Sequence, residues 1–254
     1  MYHTTGLPAE AIAVCYQTLA HNYSRTPQAT GRPPALSQAE EIRATLAYLR
    51  RNRAQSELAE SFGVSQSSIC RAIARWTPRI VEVLADLVPI ADDLDQTQTL
   101  IVDGTLVPCW GWKNQPGLYS GKHHTTGLNL QIACTLTGRL VWVSDPVPGS
   151  THDAKAIQST GFLDGFPDTP PLGDKGYIGL GMRTPIRKPP GGGLTDWQKR
   201  YNKTINRLRA PVERAIAHLK TWRILHTGYR RPLHTFPQTI TAVTALEFFK
   251  NSFE

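Results

Sequence analysis

The sequence predicts an α/β domain with a mixed five-stranded sheet and flanking helices, preceded by an all-α domain. The chain has 254 residues, 40% of them hydrophobic, which is enough for two modest domains with real cores. Apolar residues recur at helical spacing as far as about residue 87, whereas β-branched and alternating runs begin at Leu100. Helical patterns return later in the chain, and strands followed by a helix, further strands and a long helix indicate a mixed sheet.

The N-terminal part begins with a helix and an arm. Residues 8–21 predict a short helix, and the Pro-, Gly-, Ser- and Thr-rich stretch 24–37 predicts a linker or an extended arm. Ser37 and Glu40 have the spacing of a capping box, so we expect a helix from there to about Arg51. We therefore expect residues 1–36 to form the helix and arm, and residues 37–90 to form a helical domain.

The segment 55–76 contains two short helical patterns separated by a tight turn. Gly63 can adopt the positive φ that such a turn needs, and Ser65 is a natural N-cap for the second helix. This spacing resembles the helix-turn-helix module, with an ordinary helical hairpin as the alternative. A separate helix is expected at about 79–87.

The second helix of this pair would present polar side chains outward. Gln and Arg make bidentate contacts with base edges in the major groove. The residues expected to bind nucleic acid are Gln66, Ser67 and Arg71, with Cys70 and Arg75 also on this side.

The strands and helices of the second part follow in order. Residues 128–136 and 138–147 predict a hairpin joined at Thr137-Gly138, and Pro211 is expected to kink the last helix or start a new one. The expected elements are strands at 100–109, 128–136, 138–147, 170–177 and 183–188, and helices at 151–160 and 195–222.

The charge is distributed unevenly. Residues 1–97 carry a net charge of −1, whereas residues 98–254 carry 19 Lys and Arg against 10 Asp and Glu, a net +9. A dense patch of one sign favours an anionic partner, most often nucleic acid. The sequence shows neither a secretory signal nor a membrane-spanning stretch, and its four cysteines are scattered. These features predict a cytoplasmic protein with reduced thiols and no membrane partner.

Three carboxylates stand at unusual places. Asp103 interrupts an apolar strand, Asp174 follows the apolar end of the fourth strand, and Glu213 lies in a strongly basic helix. A carboxylate in an apolar strand is costly unless a cation pairs with it. Three converging carboxylates would form a Mg²⁺ site, and two such ions can support phosphodiester cleavage.

Several short motifs together carry a family resemblance. IVDGT, YSGKHH…NLQ, GSTHD, GDKGY and RLRAPVERAIAHLK resemble the DDE transposases of the insertion-sequence group related to Harbinger-like elements. The match covers roughly residues 98–250, and the helix-turn-helix before it also fits the family. The family's last helix has Tyr, two residues, Arg, three residues, Glu, six residues, Lys. Here Arg209, Glu213 and Lys220 are in register, and Asn206 replaces the tyrosine.

The resemblance implies a ribonuclease-H-like catalytic domain over residues 98–254, with Asp103, Asp174 and Glu213 as catalytic residues and metal ligands. It implies Mg²⁺ as cofactor, with Mn²⁺ as a substitute. It also implies a transposase that binds terminal inverted repeats and target DNA, hydrolyses phosphodiester bonds and transfers strands. A homodimer or larger assembly is expected on the double-stranded DNA. The alternatives are a metal-dependent nuclease without transposition and an inactive or domesticated DNA-binding regulator.

Further residues surround this expected centre. Arg209 and Lys220 share a helix stripe with Glu213 and could hold phosphates, with simple i,i+4 charge pairing as the alternative. Lys122 lies in a loop that could contact DNA. Asp153 follows His152 at a helix start. We expect it to cap that helix or to interact with its dipole. The alternatives are that Asp153 binds the metal directly as the second acid, in place of Asp174, and that Asp153 and His152 have an accessory role in the site.

Overall fold

The computed structural model of the protein describes residues 2–23, 33–110, 115 and 117–253. Most of the expected arm at 24–37 therefore lies outside the described residues. The chain divides into two compact units, one formed by Met1–Val88 with Leu219–Glu254 and the other by Pro89–His218. Of the helices in the described ranges, none is both long and apolar enough to cross a membrane.

The first unit begins with five helices. They are α1 (Tyr2–Thr5), α2 (Ala9–Asn22), α3 (Gln38–Arg51), α4 (Gln55–Phe62) and α5 (Gln66–Leu84). The predicted capping box is confirmed, because the Ser37 hydroxyl accepts from the Glu40 N–H and the Glu40 carboxylate accepts from the Ser37 N–H. The helix boundaries at α2 and α3 thus follow the local sequence pattern closely.

The predicted tight turn between α4 and α5 is confirmed. Gly63 ends α4 with φ +63°, and the Ser65 hydroxyl accepts from the Ser68 N–H at the start of α5. The expectation of a separate helix at 79–87 is wrong, because α5 continues through Pro78 to Leu84. Trp76 and Ile80 are buried on either side of Pro78, and this packing keeps the helix intact although proline lacks an N–H donor.

The second unit is built on an antiparallel sheet centred on its longest strand. The strands are β1 (Leu100–Pro108), β2 (Tyr119–Ser120), β3 (Thr125–Thr135), β4 (Leu140–Val143) and β5 (Val147–Pro148). All four other strands pair with β3, and β1 runs beside it from Leu100↔Thr135 to Pro108↔Gly127. The predicted hairpin is confirmed, with Gly138 at φ +88° between β3 and β4.

The fourth and fifth expected strands are much shorter than predicted. Each is reduced to a single parallel bridge, Ile101↔Leu172 and Leu172↔Arg183. Prolines at 170 and 171 lack N–H donors, and the 3-10 turn Lys175–Tyr177 begins three residues after Leu172, so the pairing with β1 stays short. The resulting order β4, β3, β1, Leu172, Arg183 combines antiparallel and parallel pairs in a ribonuclease-H-like α/β fold.

The remaining helices are α6 (Asp153–Gln158), α7 (Asp196–Arg209), α8 (Pro211–Leu219) and α9 (Phe236–Asn251). Pro211 starts a new helix, as one of the two expected outcomes for that residue, and Glu213 lies in the first turn of α8. Helix α9 was not predicted; it belongs to the first unit and packs against α5. From the sequence we expected this C-terminal segment to belong to the catalytic domain, residues 98–254.

Candidate active site

Asp103 lies in the middle of β1, where its carboxylate is mostly buried. Its Oδ1 accepts from the Gly104 N–H at 2.9 Å, and its Oδ2 is 3.6 Å from Nη2 of Arg209. Burial raises the pKa of the Asp103 carboxyl; the Arg209 guanidinium opposes this shift, and the Asp174 carboxylate adds to it. Asp103 is therefore an acid held in an apolar strand between one cation and one further acid.

Asp174 reaches the same place from the neighbouring chain segment. It follows Leu172, whose backbone bonds with β1 at 2.8 Å in both directions, and it caps the 3-10 turn Lys175–Tyr177. Its Oδ1 accepts from the Gly176 N–H at 2.7 Å. Because Ile101 pairs with Leu172 in parallel, Asp103 and Asp174, each two residues further along, lie on neighbouring segments, and the charge of Asp174 raises the pKa of Asp103.

Glu213 lies on the exposed side of α8, one helix beyond Arg209. The start of α8 packs on the β3–β4 turn, where Arg214 donates to the Thr137 carbonyl at 3.3 Å. Among the residues the structure describes, no three Asp, Glu, His or Cys side chains converge closely enough to hold one ion. The third predicted acid is thus placed on an adjoining helix and not against the Asp103–Asp174 pair.

The Asp103–Asp174 pair suits a hard divalent cation. Each carboxylate has one oxygen fixed by a backbone N–H, which orients the other oxygen. Two carboxylates that repel each other in a mostly buried place are stabilised by a cation between them, and oxygen donors are those that Mg²⁺ and Mn²⁺ prefer. The chemistry of the pair therefore fits the expected metal.

A polar network adjoins this pair. The Asp153 carboxylate accepts from Lys122 Nζ and Asn129 Nδ2, each at 2.8 Å, and from Gln131 Nε2 at 3.5 Å. The Tyr177 hydroxyl donates to Gln131 at 2.7 Å. Burial raises the pKa of Asp153, but the hydrogen bonds outweigh it and hold the pKa below its usual value. Asp153 lies in the first turn of α6, yet its carboxylate is bound to β3 and Lys122.

Lys122 is positioned by this network beside the two acids. Its side chain is 60% exposed, so it is accessible to a ligand. Burial lowers the pKa of Lys122, but the bond to Asp153 and the carboxylates of Asp174 and Asp103 outweigh that effect and raise it. Lys122 is held near the acids through Asp153, whose carboxylate lies against Gly104, the residue after Asp103. His152 is exposed at the N-cap position of α6.

Sequence reasoning missed the network partners Asn129, Gln131 and Tyr177. Asn129 and Gln131 lie two residues apart in an otherwise apolar strand, so they point to the same side of β3. Buried polar side chains need partners, and this spacing was the available signal.

Arg209 and Lys220, both predicted to contact phosphates, lie in different surroundings. The Arg209 side chain is 14% exposed, and its Nε is buried without a hydrogen-bond partner among the described residues. Lys220 follows α8 in the first unit and is partly buried, which lowers its pKa. Arg209 therefore has an unused donor near Asp103, and a role for Lys220 in DNA binding stays a prediction.

The predicted recognition residues lie at the exposed start of α5. Gln66, Ser67 and Arg71 are all exposed, and Arg71 donates to the Ser68 hydroxyl at 3.3 Å. Arg75 is different, because its guanidinium binds both oxygens of Glu41 at 2.8 Å inside the first unit. This interaction removes Arg75 from the candidates for base contact.

Two family models match the chain, one in its N-terminal part and one in the remainder. The family described as DDE superfamily endonuclease matches residues 102–247, and the helix-turn-helix of DDE superfamily endonuclease matches residues 34–86. The first match spans more than half of the chain and includes Asp103, Asp174 and Glu213.

Three relatives illustrate the range of similarity. "Putative transposase for insertion sequence element IS112" of Streptomyces albus G is 34% identical over 77% of this chain and 73% of its own length. "Probable transposase for insertion sequence element IS702" of Microchaete diplosiphon is 29% identical over 79% and 76%. "Putative nuclease HARBI1" of Homo sapiens is 24% identical over 89% and 67%. No solved structure matches the chain.

Proposed function

The chain belongs to the DDE superfamily endonucleases, and from this we propose that it is a DNA transposase. In this proposal it binds the terminal inverted repeats of its element, hydrolyses the phosphodiester bond at each end, and joins the freed 3′-hydroxyl to target DNA. The observation that carries the proposal is the pairing of Asp103 and Asp174 at adjoining positions of the sheet, beside two cationic side chains. The relatives named as transposases support it.

Recognition of the terminal repeats is proposed for the first unit. The exposed start of α5 would enter the major groove, with Gln66 and Arg71 at base edges and Ser67 at a phosphate or a base. Two element ends have to be held together during transposition, so we also propose a homodimer or larger assembly on DNA.

Phosphodiester cleavage is proposed for the second unit. Asp103 and Asp174 would hold Mg²⁺ or Mn²⁺, and Glu213 would complete the site from the first turn of α8. The support for Glu213 is that Arg209, four residues earlier, already reaches Asp103. A bound divalent cation supplies charge stabilisation and a lowered water pKa in phosphodiester hydrolysis.

The cations beside the acids would hold the DNA backbone. Lys122 is fixed through Asp153, and the buried Nε of Arg209 has no hydrogen-bond partner in the described part of the chain; both side chains would donate to the phosphate that is cleaved. Asp153 acts as a positioning residue in this proposal, since its carboxylate binds Lys122 and the strand β3.

Incubation of the purified chain with a supercoiled target and a labelled duplex that ends in the terminal repeat tests this function. The repeat can be identified from the DNA that flanks the reading frame. We expect Mg²⁺-dependent cleavage at the repeat end and labelled strand-transfer products, with both activities lost in EDTA. Binding without any cleavage in Mg²⁺ or Mn²⁺ would instead indicate a DNA-binding regulator.

A nuclease without transposition is the second candidate, favoured by the similarity to a protein named as a nuclease. Such an enzyme would keep all three acids, so cleavage assays do not separate the two. A substrate with a pre-cleaved end and a free 3′-hydroxyl separates the two candidates. Joining of this end to the target supports the transposase, whereas cleavage activity without any joining supports the nuclease.

The two units should make different kinds of DNA contact. Gln66→Ala and Arg71→Ala are each expected to weaken binding to the terminal repeat by about 1–3 kcal/mol, because each removes a base contact. Lys122→Ala and Arg209→Ala should weaken binding to all sequences alike and reduce the salt dependence, because they remove phosphate contacts. Gel-shift titrations on specific and scrambled duplexes over a salt series measure both effects.

Arg53→Ala is the matched control, since it removes an exposed arginine that lies outside α5. Any effect of Arg53→Ala on binding should be the same for the specific and the scrambled duplex. Equal losses on both duplexes for the Gln66 and Arg71 variants would show that α5 does not read sequence. Recognition would then have to lie in the arm at 24–37 or in the basic second unit.

A further inference from the structure

Helix α7 carries an aromatic pair on its exposed side. Trp197 is 60% exposed, and its ring stacks on that of Tyr201 one turn later, with centroids 5.7 Å apart and planes 15° from parallel. Leu208 continues the same stripe and is 39% exposed. A Trp this accessible, already stacked on one face, presents its other face and edges to solvent, which is where a ligand ring could lie.

The opposite side of α7 is anchored, so the orientation of this stripe is defined. The Asn202 side chain accepts from the Ile186 N–H at 2.7 Å and donates to the Ile186 carbonyl at 3.0 Å, and Ile205 is buried. A capping box of Thr195 and Gln198 fixes the first turn. Rotation of α7 that would bury Trp197 would break these bonds.

Cations line one border of the aromatic stripe. Arg200, Lys203 and Arg207 are exposed and follow one another at helical spacing next to it. The acidic residue of α7, Asp196, is engaged by Lys199 at 3.0 Å. A second copy placed symmetrically on this face would bring like charges together, whereas a polyanion would be attracted to it.

Nucleic acid can use both stripes at once. Bases stack on exposed aromatic rings while the backbone follows neighbouring cations. Inside a duplex the faces of the bases are already covered by their neighbours, so an unpaired base is the one that can lie flat on Trp197. The arrangement thus selects for a DNA strand that is locally unpaired.

We propose that α7 binds an unpaired DNA segment, with one base stacked on Trp197 and adjacent phosphates on Arg200 and Lys203. This inference rests on the proposed function, because it takes DNA as the substrate. It adds that the bound strand is unpaired and that α7 binds it. A strand opened at the cleaved end of the element would supply such a segment.

The test uses the full chain and three probes: a single strand of about 12 nucleotides, a blunt terminal-repeat duplex, and the same duplex with an unpaired end, each carrying 2-aminopurine. Trp197→Ala should weaken binding to the single strand and to the unpaired end by between about 5-fold and 150-fold, the range for loss of one stacked base. Quenching of the 2-aminopurine in the unpaired segment should be lost with it. Binding to the blunt duplex should not change.

Two further variants serve as controls. Trp197→Phe keeps a stacking ring and should retain most of the affinity. Trp110→Ala removes another exposed Trp, 73% accessible, that lies outside α7, and it should have no effect on any probe. Because Trp197 is exposed, the melting temperature of its variants should match that of the wild type.

Other outcomes overturn the inference in distinguishable ways. An equal loss on the blunt duplex would show that Trp197 contacts duplex DNA. Unchanged binding to every probe, together with a smaller assembly of Trp197→Ala in sedimentation, would show that a second copy covers the stripe. In both cases wild-type DNA binding keeps the proposed function intact, whereas a wild type that binds no DNA would overturn both.

Discussion

Asp103→Asn, Asp174→Asn and Glu213→Gln should each abolish Mg²⁺-dependent cleavage of terminal-repeat DNA while DNA binding is retained. Each change preserves the shape of the side chain and removes the charge that holds the cation. Loss of metal-assisted charge stabilisation amounts to several kcal/mol, which corresponds to a rate decrease of about 10³-fold or more. Cleavage rates on labelled terminal-repeat duplexes measure the effect, and gel shifts confirm that binding persists.

The same experiment decides which acids belong to the site. Near-normal cleavage by any of the three variants would remove that residue from it. Asp153→Asn is the informative comparison, because Asp153 lies beside the pair but binds Lys122. An active Asp174→Asn together with an inactive Asp153→Asn would show that the second acid was misassigned. Thermal melting of each variant controls for folding.

Local sequence patterns predicted the parts of the molecule whose causes are local. The capping box at Ser37 and the turn at Gly63 depend on residues within a few positions, and both are confirmed. Asp103 could be found because a carboxylate in an apolar strand is unusual. Pro211 was predicted as a possible helix start from a local property as well, because proline has a fixed φ and no backbone N–H donor.

The features that sequence reasoning missed depend on contacts between distant segments. Lys122 and Asp153 are 31 positions apart, and nothing near either residue indicates the other. Helix α9 is buried on nearly all sides, so it lacks the amphipathic pattern that identifies a surface helix. The strand at Leu172 is shorter than predicted, because prolines precede it and the 3-10 turn Lys175–Tyr177 follows it.

Gly104 connects the missed network to the predicted acids. It follows Asp103 in β1 and pairs with Gln131 of β3. A Cβ at this position would lie 2.3 Å from Asp153 Oδ1 and 2.9 Å from Gln131 Nε2, closer than atoms can approach. The backbone of Gly104 is not in the left-handed region, so its conformation does not require glycine. Glycine is needed at this position because a side chain would prevent the close approach of Asp153.

Gly104→Ala should therefore lower the cleavage rate by about 10²-fold, the effect of misplacing a reacting group by about 1 Å. The added methyl group would displace Asp153, and Lys122 would lose the partner that holds it beside Asp103 and Asp174. Single-turnover cleavage at saturating DNA measures the loss. Gly165→Ala is the matched control, since its Cβ would meet a side chain at an ordinary 3.6 Å. That variant should cleave at the wild-type rate.

A double-mutant cycle separates the two ways in which the added methyl group could act. Asp153→Ala removes the carboxylate that this methyl group would strike, so Gly104→Ala should cost little further activity in that background. Residues that act through one another are strongly non-additive, whereas independent effects add within about 0.3–0.5 kcal/mol. Additive losses would show that the methyl group disturbs Asp103 directly through β1 and does not act through Asp153. A strong interaction energy would instead identify Asp153 as the group through which Gly104 affects cleavage.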